Sequence, residues 1–102
     1  KYRNPERQNL REAAEWIREQ FGSGKRILTP EDAVAYHAEA DLVYARTPQG
    51  MTRQMKKSTP DFVVFEEDFF PDKEAREKWL KGLAPMQLRL RRRFAQVFVY
   101  AP

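Results

Sequence analysis

A chain of 102 residues with 41% hydrophobic side chains can bury one core but not two, which predicts a single domain over residues 1–102, either whole or part of a longer protein. The absence of cysteine excludes disulfides and thiolate sites, and no apolar run is long enough for a membrane span, so we expect a soluble, cytoplasmic domain with no membrane partner. The formal net charge of +4 favours an acidic partner, either nucleic acid or an acidic protein.

Two helices are predicted in the first half of the chain. Residues 4–6, Asn-Pro-Glu, form a helix start with a capping side chain, a proline at the first helical position and an acid in the first turn. Residues 22–24, Gly-Ser-Gly, end this helix. Residues 29–32, Thr-Pro-Glu-Asp, are a second start with Thr29 as the cap, and the helix runs at least to Ala38. It then either continues in the core or breaks near Glu39.

A third helix and a strand are predicted in the middle of the chain. Residues 47–50, Thr-Pro-Gln-Gly, are a turn or a third capped start, and Met51 and Met55 share the helical face toward the core. Residues 58–60, Ser-Thr-Pro, end this segment, because a residue before proline is disfavoured in helical geometry. Residues 62–65, Phe-Val-Val-Phe, are typical of a short buried strand.

The last third of the chain predicts a fourth helix and a second strand. Residues 71–74, Pro-Asp-Lys-Glu, open the helix and Gly82 closes it. The tail fits helical spacing and strand alternation almost equally, and we favour a helical turn from Pro85 followed by a strand at residues 97–100. The predicted fold class is α+β, with three to four short helices and a small antiparallel sheet.

Two of these helices have the pattern of a helix-turn-helix. Residues 28–36 resemble the opening helix of excisionase-like and MerR-like winged-helix domains, and residues 47–57 resemble their recognition helix. The strand at residues 62–65 and the helix that ends near Trp79 resemble the wing and the closing helix. The pattern departs from the family in the long separation of the two helices and in Arg46, which stands where the family carries an apolar residue. The resemblance implies a winged helix-turn-helix that binds duplex DNA.

The leading hypothesis is therefore a non-enzymatic nucleic-acid-binding module that needs no cofactor and no metal. Glutamine and arginine side chains can contact base edges, and arginine and lysine can bind phosphates. A second basic segment near the end of the chain supplies further phosphate contacts, and we expect the two segments to form one patch. The candidate nucleic-acid-binding residues are Arg46, Gln49, Thr52, Arg53, Lys56, Lys57, Arg89, Arg91, Arg92 and Arg93.

A protein–protein interaction module is the alternative, as a regulator or inhibitor that docks on an acidic partner. The same arginines would then be interface anchors, together with exposed aromatic residues such as Phe69, Phe70 and Tyr100. A homodimer is also compatible with the sequence. A simpler explanation of the arginine run is a solvated face, or pairing with the acidic residues between positions 61 and 77.

A metal-dependent nuclease is the third hypothesis. Residues 59–64, with Asp61, are similar to the Pro-Asp strand of some nucleases, and Glu66, Glu67 and Asp68 follow. The lysine expected two residues after the second acid is absent, so acids at a strand end explain the cluster without metal. His37 is the one histidine of the chain and indicates neither a zinc site nor a Ser-His pair.

Overall fold

Helices and strands alternate along most of the chain. The computed structural model describes residues 5–102, and the side chains from residue 7 onward, so the predicted cap Asn4 lies outside the described residues. Two short 3₁₀ segments, Glu67–Phe69 and Lys81–Met86, flank the fourth helix. The elements in chain order are α1 (Pro5–Phe21), β1 (Arg26–Thr29), α2 (Asp32–Ala38), β2 (Asp41–Tyr44), α3 (Pro48–Ser58), β3 (Phe62–Glu66), α4 (Lys73–Leu80), β4 (Arg89–Phe94) and β5 (Val97–Ala101).

The strands form one mixed sheet in the order β2-β1-β3-β5-β4. Strand β1 pairs in parallel with β2 and β3, whereas β5 pairs antiparallel with β3 and β4. The chain crosses from β1 to β2 through α2 and then returns over β1 to β3 through α3. Because such crossovers are almost always right-handed, two successive crossovers in opposite directions place α2 and α3 on opposite faces of the sheet.

Each face of the sheet has its own core, because successive side chains of a strand point to opposite sides. Helices α1 and α2 cover one face, and α3, α4 and the 3₁₀ segments cover the other; we call these the α1/α2 face and the α3/α4 face. Strand β3 is central and contributes Phe62 and Val64 to the first core and Val63 and Phe65 to the second. A strand buried on both faces reads as a continuous apolar run, which is why its sequence identified it.

Helix α1 packs across the sheet on the late strands β4 and β5 as well as on α2. Its apolar stripe, Leu10, Ala13, Ala14 and Ile17, is buried. Asn9 Nδ2 donates a hydrogen bond of 3.0 Å to Gln96 Oε1. The helix ends at Phe21, after which Gly22 adopts a φ of 87°. None of the helices within residues 5–102 combines the length and the hydropathy that crossing a membrane requires.

The helix starts are confirmed for α3 and α4 and differ for α2. Thr47 Oγ1 accepts the backbone N–H of Gly50 at 3.0 Å, and Asp72 Oδ1 accepts that of Ala75 at 2.7 Å. Thr29, predicted to cap α2, is instead the fully buried last residue of β1, and its hydroxyl accepts the N–H of Glu31 at 3.1 Å. Of the two alternatives for the end of this helix, the structure has the break near Glu39, because this residue adopts left-handed geometry after Ala38.

The α+β class is confirmed, but the sheet is larger than predicted and partly parallel. Strands β1, β2 and β4 were not predicted. The helix-turn-helix interpretation is wrong, because residues 41–44 of the supposed turn form β2 and pair with β1. Val34 and Ala38 of α2 belong to the core of the α1/α2 face, whereas Met51 and Met55 of α3 belong to the other core. The two helices of the supposed motif therefore lie on opposite sides of the sheet.

Candidate interaction surfaces

The first basic segment is the outer side of α3 and the residue that precedes it. Met51 and Met55 are buried, so the helix turns its polar residues outward. Arg46 is exposed in the connection between β2 and α3. The charged side chains Arg53, Lys56 and Lys57 of the helix itself are also exposed.

Gln49 and Thr52 line a groove between α3 and α4 of about 710 Å³. The opposite wall of this groove contains Phe69 and Trp79. These two candidate DNA contacts therefore face an apolar wall of the same domain.

The second basic segment is the edge strand β4. Arg89, Arg91, Arg92 and Arg93 are all exposed. Pairing with β5 sets Arg92 opposite Val99 and Arg93 opposite Phe98, so these two side chains leave the strand on different faces of the sheet. A bulge between Leu90 and Arg92 breaks the regular alternation.

Aromatic rings and backbone carbonyls hold several of these guanidinium groups. The Cζ atom of Arg92 lies 5.0 Å from the ring centroid of Phe94. Phe98 is contacted by Arg93 at 5.0 Å and by Arg76 of α4 at 5.1 Å. Arg93 Nε also donates to the carbonyl of Ala95 at 2.7 Å. The guanidinium group of Arg91 donates to the carbonyl of Pro102.

The two basic segments do not converge. Helix α3 packs on β1 and β2, at one side of the sheet, whereas β4 is the strand at the opposite edge. Three strands, β1, β3 and β5, separate β2 from β4. The prediction that the two basic segments form one patch is therefore wrong, because they form two separate surfaces.

The ion pairs of the described side chains lie away from the arginines of β4. Among the side chains described from residue 7 onward, the ion pairs join Arg11 to Glu15, Arg18 to Glu39 and Lys73 to Glu77. None of these described ion pairs involves an arginine of β4. The four guanidinium groups are exposed to an acidic group from outside the domain.

The carboxylates of the nuclease hypothesis lie at two ends of one strand. Asp61 precedes β3, and its Oδ2 accepts the N–H of Arg26 at 2.9 Å. Glu67 and Asp68 follow the same strand in the 3₁₀ segment. A strand rises about 3.3 Å per residue, so the length of β3 separates the two groups. In the described part of the chain, His, Asp and Glu form no cluster of three or more that could hold a metal ion.

The aromatic anchors proposed from the sequence are mostly core residues. Phe70 and Tyr100 are each only 5% exposed, and Phe69 is half-buried. All three surround Phe65, whose ring stacks on Tyr100 at a centroid distance of 5.3 Å. Burial raises the pKa of the Tyr100 phenol, and the positive charge of Arg76 opposes this rise.

The exposed large apolar side chains lie mainly at the other edge of the sheet. Tyr36 of α2 is 79% exposed, and Leu42 and Tyr44 of β2 are 42% and 50% exposed. Leu42 is opposite Ile27, a residue of the core on the α1/α2 face, and therefore leaves the strand toward that face. Sequence reasoning missed this surface, because it depends on which strand ends up at the edge of the sheet.

The sequence matches no protein-family model and no curated protein. Among solved structures, the fold is similar to the C-terminal globular domain of an oligosaccharyltransferase from Archaeoglobus fulgidus. The TM-score is 0.59 and the identity is 14%, over 91% of this chain and 96% of that one. This likeness shows a shared fold, which is not that of a winged helix. The prediction that this domain binds DNA through a helix-turn-helix is therefore wrong.

Proposed function

We propose that this domain is a non-enzymatic protein-interaction module that docks an acidic surface of a partner protein through β4. The observation that carries the proposal is a row of four exposed arginines on an edge strand, outside the described ion pairs of the domain. Arginine is enriched among the residues that contribute most to protein interfaces, and its planar group binds a carboxylate through two hydrogen bonds. An acidic partner supplies carboxylates for these arginines, which the described ion pairs of the domain do not.

The packing of the guanidinium groups supports this function. Arg92 lies over the ring of Phe94, and Arg93 lies over the ring of Phe98 and donates to the carbonyl of Ala95, so both guanidinium groups have partners within the domain. Ordering a flexible side chain on binding costs about 0.5–1.5 kcal/mol, and groups that are already ordered avoid part of that cost. The strand therefore presents a partly pre-organised array of charges.

Contacts through side chains fit this edge better than backbone pairing does. Charged residues and bulges are the features by which native edge strands resist the addition of another strand, and β4 has both. Leu90, 49% exposed between Arg89 and Arg91, adds one apolar contact to the array. We infer that a partner binds the edge of β4 through these side chains, which leave the strand on both faces of the sheet.

The structural comparison supports the proposal at one point, which is that this fold occurs as one domain of a larger protein. The Archaeoglobus fulgidus domain is a globular part of an oligosaccharyltransferase, and this chain covers nearly all of that domain. A fold that serves as one domain of a larger protein is suited to a role that depends on contacts with other protein surfaces. The acidic nature of the partner is inferred from β4 alone.

Affinity capture with matched charge variants tests this function. The wild-type domain, the variant Arg89→Glu with Arg92→Glu, and the control Arg53→Glu with Lys57→Glu are immobilised and exposed to a lysate of the source organism. Both variants change the net charge equally, but only the first alters β4. We expect a partner that binds the wild type and the α3 control and is lost by the β4 variant.

Reconstitution with the purified partner completes the test. The β4 variant should weaken binding by about tenfold or more, and added salt should weaken binding of the wild type. A partner lost by the α3 variant and kept by the β4 variant would place the interface elsewhere. If no partner depends on β4, the proposal is wrong.

A further inference from the structure

The edge strand β2 differs from β4 in nearly every property that governs strand addition. It contains Leu42, Val43 and Tyr44 in succession, without lysine, arginine or proline. Its register with β1 runs without a bulge from Asp41 to Tyr44. Native proteins usually protect such an edge, because its unpaired backbone groups template pairing with another chain. Of the protective devices, the described strand has only its short length and the single charge of Asp41.

The hydrogen bonds to β1 identify the backbone groups that remain open. Asp41 N donates to Lys25 O at 2.7 Å, and Ala45 N donates to Thr29 O at 3.3 Å. Since alternate residues of a strand direct their backbone groups to opposite sides, Leu42 and Tyr44 direct theirs away from the sheet. The exposed side chains of the same two residues lie beside these groups.

We propose that β2 pairs antiparallel with β2 of a second copy of this chain, about a twofold axis at Val43. An antiparallel ladder matches outward-facing residues with each other, so Leu42 of each copy lies opposite Tyr44 of the other. These two pairs form four backbone hydrogen bonds. The two Val43 residues meet as the non-hydrogen-bonded pair between them.

The side chains of this arrangement are self-complementary. Leu42 and Tyr44 of opposite copies form an apolar–aromatic cross-strand pair twice, and such pairs stabilise sheets by about 0.2–1 kcal/mol each. The same register sets Ala40 opposite Arg46 of the second copy. Position 46 lies beyond the end of β2, so the ladder itself is confined to the residues around Val43.

The neighbouring helix extends the apolar contact beyond the strand. Tyr36 of α2 and Leu42 line the same shallow groove, whose floor includes Ala35 and Ala40. At 79% exposure, Tyr36 is the most exposed of the large apolar side chains in the described chain. A self-complementary patch at a twofold axis is the form that homodimer interfaces commonly take.

The dimer should be weak and concentration-dependent. Two short strands and a few side chains bury less than the roughly 800 Å² per partner of a standard stable interface. This association does not depend on the acidic partner proposed above, because β2 and β4 are opposite edges of the sheet. Failure of one proposal therefore leaves the other intact.

Single-cysteine variants test the register directly, because the chain has no cysteine of its own. In a non-hydrogen-bonded antiparallel pair the Cα atoms are about 4.5 Å apart, which lies within the range that a disulfide spans. Under mild oxidation, Val43→Cys should form a disulfide-linked dimer at least about tenfold faster than Leu42→Cys, since two Leu42 positions are diagonal to each other.

Sedimentation equilibrium over concentrations up to about 1 mM tests the association itself. The wild type should show a monomer–dimer equilibrium that Leu42→Lys abolishes by placing a charge on the pairing edge. Leu90→Lys is the matched control, because Leu90 has a similar exposure of 49% on the opposite edge strand and should leave the equilibrium unchanged.

Three outcomes would overturn the proposal. The first is a wild-type chain that stays monomeric throughout the concentration series. The second is equal cross-linking of the cysteine variants at positions 42 and 43, which indicates random collision. The third is a dimer that Leu90→Lys disrupts and Leu42→Lys does not, which would assign the interface to β4.

Discussion

At the scale of single residues, Phe65 organises the core of the α3/α4 face. Its ring contacts those of Phe69, Phe70, Trp79, Phe98 and Tyr100, with centroid distances from 5.2 to 6.1 Å. Tyr100 takes part in this cluster as an apolar body, although it carries a phenol. Its conversion to phenolate would place a charge in the aromatic core, and burial therefore raises its pKa.

This raised pKa predicts a loss of stability at alkaline pH. The unfolded chain ionises near the ordinary pKa of 10.0, whereas the folded chain keeps the proton to higher pH. The unfolded state thus binds fewer protons above that value, and the free energy of unfolding falls as pH rises. Urea denaturation of Tyr100→Phe should show a shallower fall above about pH 10 than the wild type.

Tyr44→Phe is the matched control for this effect. Tyr44 is 50% exposed, and removing its hydroxyl should leave the alkaline fall of the wild type in place. If Tyr100→Phe and the wild type lose stability in parallel, then Tyr100 makes no contribution to the alkaline fall.

At the scale of elements, the hairpin between β4 and β5 turns on two residues, Ala95 and Gln96. Ala95 adopts a φ of 52°, a left-handed geometry that favours glycine. A positive φ at the first turn position is typical of the hairpin turns that match strand twist. The hairpin thus keeps a favourable turn in spite of an unfavourable residue.

Replacing Ala95 with glycine should stabilise the protein. Because the backbone is already in the glycine-preferring region, we expect the free energy of unfolding to rise by up to about 1 kcal/mol, measured by chemical denaturation. Ala84→Gly is the control: this exposed alanine of the second 3₁₀ segment has no positive φ, and glycine there should destabilise. A loss of stability in Ala95→Gly would show that the methyl group matters more than the backbone geometry.

The elements also show what the sequence could and could not predict. All four α-helices of the described chain and strands β3 and β5 were predicted, because capping residues, prolines and apolar patterns mark them locally. Strand β4 was missed because, at the edge, nearly all of its side chains are exposed, and its few apolar residues fit helical spacing as well as strand alternation. Strand β2 was missed because residues 41–44 continue the apolar run of α2, and only pairing with β1 gives them a strand conformation.

The candidate interaction surfaces were also predicted only in part. The arginines of β4 were identified from composition, but their position outside the described ion pairs depends on tertiary structure. The exposed edge at Leu42 and Tyr44 could not be identified, because the strand order decides which residues remain uncovered. The two basic segments are both exposed, and the sheet separates them.

At the scale of the whole molecule, one sheet divides the domain into two separate cores. Ile17 of α1 belongs to the core of the α1/α2 face, and Met51 of α3 belongs to the other. Both residues are fully buried. Mutations that lie far apart without shared partners usually have additive effects on stability, to within about 0.3–0.5 kcal/mol.

We therefore expect Ile17→Val and Met51→Ala to be additive in a double-mutant cycle followed by urea denaturation. The single changes should cost about 0.5–1.5 and 2–5 kcal/mol respectively, through lost burial and cavity formation. Ile17→Val combined with Val34→Ala, both in one core, is the comparison pair, and coupling is expected there. Strong coupling between Ile17 and Met51 would mean that the sheet transmits packing changes between its faces.

The packing of α1 on β4 and β5 has a consequence for folding during biosynthesis. The bond between Asn9 and Gln96 joins positions 87 residues apart, and the strands that cover much of this helix are translated long after it. Before the ribosome has added the final hairpin, the apolar stripe of α1 has only α2 and core residues of the earlier strands, such as Phe62, to shield it. The nascent chain should therefore acquire its native shape late, once the final hairpin has emerged from the exit tunnel.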